Sequence, residues 1–151
     1  MMARRSASRP VPESLTARIG TVAQSYFVAA EGDAGTRIID EAILNAVGVI
    51  ESIDARHQRF LGESLEMAFI CGRSFERKGP TPTSDKPVLL PLQLGKRQRS
   101  LMVYLPSDAF WGLSRLIPAG IITHVEASFC ALRYGTADLL SVHFFSSPKQ
   151  D

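Results

Sequence analysis

The sequence predicts an α+β fold: an N-terminal antiparallel helical hairpin, then a mainly antiparallel sheet of four to five strands with one short helix inserted. Three observations carry that expectation. Apolar residues recur every three or four positions through residues 15–53. They alternate with polar ones through the last third of the chain. Between these regions, Gly and Pro punctuate short apolar runs.

Residues 1–11 read as a disordered basic tail, and residues 12–148 as one domain. Pro12 suits the first position of a helix, where its missing N–H loses no partner. Leu15, Ile19, Val22, Tyr26 and Ala30 then line one helical face. Gly32 can end that helix in a left-handed conformation. After a connector at residues 33–36, Ile39, Ile43, Val47, Ile50 and Ile53 make the stripe of a second helix. A short link between two such helices implies antiparallel packing.

Residues 65–77 alternate, with Leu65, Met67, Phe69 and Cys71 on one side, so a strand is expected there. Residues 79–85 are a Pro- and Thr-rich loop. Residues 88–94 and 100–105 flank Gly95-Lys96-Arg97-Gln98 and read as a pair of strands, with Leu94 opposite Arg99 and Leu90 opposite Val103. Pro91 cannot donate to a ladder, which sets its strand at an edge or a bulge. A third helix follows, with Ser107 as its N-cap. It carries Phe110, Trp111, Ser114 and Ile117 and stops at Pro118-Ala119-Gly120.

Residues 121–146 read as a β-hairpin turning at Gly135-Thr136 in a type II′ turn. That register sets Arg133 opposite Asp138, Phe129 opposite Val142 and Ser128 opposite His143. It leaves His124 and His143 on one face, roughly 13 Å apart.

Composition bounds the function. The chain has 151 residues, a single-domain length that needs no disulfide or metal to hold a core. An apolar fraction of 45% and a charged fraction of 21% exclude global disorder. The net charge of +2 comes from Arg4, Arg5 and Arg9, because residues 13–151 carry 14 basic and 15 acidic residues. A neutral body lacks the broad basic footprint of a dedicated nucleic-acid binder. Cys71 and Cys130 sit in apolar runs and read as buried free thiols. No signal peptide and no apolar stretch of about 20 residues is visible, so a soluble cytoplasmic protein is expected, with no membrane partner.

No catalytic, cofactor or metal motif emerges, and an enzyme is not the first expectation. His57, His124 and His143 lack the neighbours of a zinc site. Ser128 and His143 lack an acid to orient the imidazole and an oxyanion site. His124, Ser128 and His143 therefore read as the polar face of a half-solvated sheet. Gly95-Lys96-Arg97-Gln98-Arg99 is not a Walker loop, since no Gly-x-x-x-x-Gly-Lys spacing precedes it. Lys96, Arg97 and Arg99, with Arg4, Arg5 and Arg9, can contact phosphates or other anions. Ile39, Ile43, Val47 and Ile50 are candidates for the interface of a homodimer. The leading expectation is a non-enzymatic interaction or regulatory module that self-associates through its N-terminal helices. The alternatives are a nucleic-acid-associated accessory protein using the basic loop and the Arg tail, and an enzyme built on the polar hairpin face.

Overall fold

A computed structural model describes residues 11–31, 37–76 and 87–147. The tail with Arg4, Arg5 and Arg9, the connector at 32–36 and the loop at 79–85 lie outside the described residues.

Two long strands, β1 (Glu13–Glu31) and β2 (Arg37–Ile53), replace the expected helical hairpin. They pair antiparallel along almost their whole length. The cause is legible in β2. Its inward positions Ala42, Leu44, Ala46, Gly48 and Ile50 are buried. Its outward positions Ile39, Ile43, Val47 and Val49 are apolar as well, so period two is masked. Outward Ile39, Ile43 and Val47, four residues apart, then imitate a helical stripe. In β1, irregularities at Thr16/Ala17 and Ile19/Thr21 disturb the alternation. The better signal was the density of Val, Ile and Thr, whose branched side chains favour a pleated strand over a helix.

Strand β3 (Ser64–Glu76) pairs antiparallel with β2 and buries Leu65, Met67, Phe69 and Cys71, as its alternation predicts. A 3-10 turn at Ala55–Phe60 makes the β2–β3 connection. Next come β4 (Val88–Leu89), β5 (Leu92–Leu94) and β6 (Arg99–Tyr104). Leu94 faces Arg99 as expected. Leu90 and Pro91 interrupt the edge, so Leu89 rather than Leu90 faces Val103. Helix α1 (Ser107–Leu116) occupies the place of the third predicted helix. Its cap is Pro106, with no side-chain hydrogen bond, and not Ser107. Phe110, Ser114 and Ile117 are buried, whereas Trp111 stays half exposed, edge-on to Phe110.

The C-terminal hairpin is present as β7 (His124–Phe129) and β9 (Leu139–Phe145), antiparallel. Its register differs from the expected one by two residues: Ala127 faces Val142, and Glu126, not Ser128, faces His143. A shift of two keeps each side chain on its face, so Val125, Ala127 and Phe129 still fill the core. The turn centres on Tyr134-Gly135, where φ is 52° and 76°. Two consecutive positive φ values match a type I′ turn, one residue earlier than predicted. The cause is β8 (Thr136–Ala137), which leaves the β7 ladder and pairs with β5, burying Ala137.

The strand order is β8-β5-β6-β3-β2-β1-β7-β9, with β4 also on β6. Among the described strands, only β3 and β6 run parallel. The described chain is therefore mainly β with one short helix. The sheet is strongly curled. Phe69 on β3 and Phe144 on β9 lie four places apart in that order, which is roughly 19 Å in a flat sheet. Their ring centroids are 5.1 Å apart. The sheet wraps around one apolar core in which Phe69, Phe110 and Phe129 are fully buried. Beyond Arg18 no residue of β1 pairs with β7, and beyond Ile70 no residue of β3 pairs with β6. The remainder of β1, β2 and β3 extends past the curled part of the sheet as a three-stranded arm.

Candidate nucleic-acid interface

The β5–β6 loop carries the predicted basic cluster. Its backbone closes on itself: the Gly95 N–H donates to the Gln98 carbonyl at 2.8 Å. Arg99 pins it from below. Its Nε donates to the Ser64 carbonyl at 2.7 Å, and Nη1 donates to the carbonyls of Gly95 and Lys96 at 3.2 and 3.0 Å. Nη2 lies 3.6 Å from the Glu63 carboxylate. Arg99 is thus a loop clamp whose donors are committed, and it leaves the set of anion-binding candidates. Lys96 and Arg97 project into solvent. Among the described residues, no hydrogen bond or ion pair engages either side chain.

The turn at Arg133–Thr136 docks against this loop. The Leu94 N–H donates to the Gly135 carbonyl at 2.8 Å. A broad hollow of about 570 Å³ opens between the two tips, bordered by Gln93, Lys96, Arg97, Gln98, Tyr134 and Thr136. Tyr134 is fully exposed. It also holds a left-handed φ of 52°, which costs a residue with a Cβ roughly 1–2 kcal/mol. Glycine or asparagine would hold that position without the ring. Nothing in the fold accounts for a tyrosine there.

The basic surface continues on the other side of Lys96. A second hollow of about 230 Å³ lies between Arg59, Phe60, Glu63, Lys96 and Arg99. The Arg59 guanidinium sits 4.5 Å above the Phe60 ring. Exposed Arg133 precedes Tyr134 in the turn. Of the nearby acids, Glu63 is engaged by Arg99, and Asp138 borders a separate hollow beside Arg133. The sequence showed the loop but not Tyr134, Arg133 or Arg59, which topology alone brings to it. The one local signal was Tyr-Gly at the tip of a hairpin.

The hairpin face is organised differently from its expected form. Phe145 stacks between His124 and His143, at ring distances of 5.4 and 5.3 Å. A carboxylate from β2 reaches the other imidazole of this face, not His143: Glu51 Oε2 lies 3.0 Å from His124 Nε2. Arg18 holds the other Glu51 oxygen at 3.3 Å. Thr123 Oγ1 is 2.7 Å from His124 Nδ1 and also accepts the Ser147 N–H at 3.2 Å. This chain of contacts ties β1, β2, β7 and the segment after β9 together around a buried imidazole. Ser128 faces Ser141 and takes no part. A second buried pair, His57 Nε2 and Glu13 Oε2 at 2.8 Å, anchors the 3-10 turn to the start of β1. Among the described residues, no group of three His, Cys, Asp or Glu could hold a metal ion. No described helix is long and apolar enough to cross a membrane.

The four interface candidates separate. Ile39, Ile43 and Val47 lie on the outer face of β2, where Val47 is exposed, while Ile50 points inward and is 1% exposed. Comparison with protein-family models, curated proteins and solved structures finds no match for this chain.

Proposed function

We propose that the chain is a non-enzymatic binding module that holds single-stranded nucleic acid across its two docked loop tips. The observation carrying this reading is Tyr134: a fully exposed ring, held at an unfavourable backbone angle, beside Lys96 and Arg97. Backbone strain at a residue whose side chain packs nothing is a reason to look for a ligand. The chemistry fits a base on the ring and phosphates on the two cations. The broad, open hollow suits a strand lying across the surface. Single-stranded rather than duplex nucleic acid is favoured because a lone exposed aromatic can stack only on an unpaired base.

The test is fluorescence anisotropy with a labelled oligonucleotide on the order of a dozen nucleotides, at about 50 mM salt. Binding is expected, weakening as salt rises. Lys96→Glu with Arg97→Glu should weaken it by about tenfold or more and flatten the salt dependence. Tyr134→Phe should bind like the natural chain. Tyr134→Gly should unfold about 1–2 kcal/mol later, because the left-handed strain is gone, and yet bind less tightly by about 1–3 kcal/mol. That opposition of stability and affinity separates a binding residue from a structural one. Equal binding by all variants, or no binding at low salt, would remove the reading. Competition by polyphosphate but not by the oligonucleotide would assign the surface to anions without bases.

A further inference from the structure

The three-stranded arm carries a second surface, independent of the loop tips. On the side of β1 away from β2, pairing with β7 ends at Arg18, and a last hydrogen bond joins the Ile19 N–H to the Thr123 carbonyl. From Gly20 onward no described strand covers that edge. Every second residue there turns its N–H and C=O outward. Soluble proteins guard such edges with Lys, Pro, inward charges or very short strands. This one has none of those guards. Residues 20–30 contain no charged residue and no Pro, and Phe27 and Val28 are exposed on opposite faces.

We infer that the edge of β1 is closed by the same edge of a second copy, antiparallel about a two-fold axis at Ser25. The sequence is self-complementary in that register. Val22 meets Val28 of the partner subunit, and Ala23 meets Phe27 of the partner subunit. Ser25 meets Ser25 of the partner subunit on the axis. Cross-strand apolar pairs of this kind stabilise a sheet, and no like charges oppose one another. The run is bounded by Arg18 at its start and Glu31 at its end. Antiparallel pairing therefore brings the basic end of one copy beside the acidic end of the other. A peptide of unrelated sequence would satisfy the backbone but not this match.

The pairing fuses two three-stranded arms into one six-stranded sheet. It also joins exposed Phe27 and Val47 and half-buried Ile43 on the outer face of each copy into one continuous belt. Eleven residues at strand rise span roughly 37 Å. Two binding modules in one particle would also engage a long strand with raised avidity.

Sedimentation velocity on the full chain should give a dimer at micromolar concentration. Ala23→Lys with Val28→Lys should give a monomer with an unchanged circular dichroism spectrum, because both positions are exposed. The register has its own test in a Cys130→Ser background. Ser25→Cys should form an intermolecular disulfide under mild oxidation, since paired residues on the axis fall within bonding reach. Thr21→Cys, displaced from the axis, should not. A monomer at every concentration overturns the proposal. So does a dimer that survives both lysines, or cross-linking that is equal at positions 21 and 25. None of these outcomes bears on oligonucleotide binding by the loop tips.

Discussion

Replacing Phe69 with alanine is expected to cost about 3–5 kcal/mol of stability, the range for deleting a large buried aromatic. Small domains hold only about 5–15 kcal/mol in total, so this single change should bring the protein close to unfolding. Phe69 is fully buried and meets Phe144 edge-on, with the planes at 71°. That contact is where β9 comes back over β3 and the sheet shuts. Its loss leaves a cavity that the two flanking layers cannot fill, because each is tied into its own ladder. Urea unfolding followed by circular dichroism would measure it. Phe144→Leu, a change at the partly covered partner, should cost markedly less. A loss under about 1 kcal/mol at Phe69 would mean that the curled sheet does not pack on itself there.

Gly48→Ala is the second large effect, expected at about 1–3 kcal/mol and near the top of that range. A Cβ at position 48 would stand 2.6 Å from the Arg18 carbonyl oxygen and 2.9 Å from the Met67 methyl. The methionine can move, but the carbonyl belongs to the β1 backbone and cannot without breaking the β1–β2 ladder. Gly48 faces Ile19 beside the register shift at Ile19/Thr21. The same substitution at Gly112 makes the control. Nothing lies within 4 Å of a Cβ there, and alanine within a helix should raise stability by about 0.5–1 kcal/mol. Thermal melts of the two variants should move in opposite directions. A shared sign would mean that the close approach at Gly48 is not a constraint.

The legibility of this fold in the sequence was uneven, for physical reasons. Residues 65–71 and the C-terminal hairpin could be read because their large core residues alternate, and β5–β6 because a Gly-Lys-Arg-Gln turn separates two short apolar runs. The N-terminal half could not. Strands β1 and β2 bury small inward residues such as Ala17, Ala42 and Ala46 and set larger apolar groups outward. The contrast on which period-two reading depends is therefore weakened. Ile39, Ile43 and Val47 were grouped with Ile50 as one helical stripe, whereas the strand sets the first three outward and Ile50 inward. Pro91 was correctly read as an interruption. The candidate site was half visible: Lys96 and Arg97 stand out in any chain with a neutral body. Tyr134 reaches them only because β8 switches from the β7 ladder to β5, a non-local event with no local signature. The Glu51–His124 contact was invisible for the same cause, since it joins residues far apart in sequence.

The closure by Phe144 also fixes an order of events as the chain is made. Strands β1, β2 and β3 follow one another in sequence and can form their meander while the rest is still being synthesised. The β1–β7 pairing and the Phe69–Phe144 contact join the first strand and the middle of the chain to strands that emerge near its end. Such distant pairings come late and slow the search. During that interval the whole β1 edge, not only its outer half, has no β7 to cover it. The nascent chain is most prone to aggregate then, through the strand that the finished sheet covers only in part.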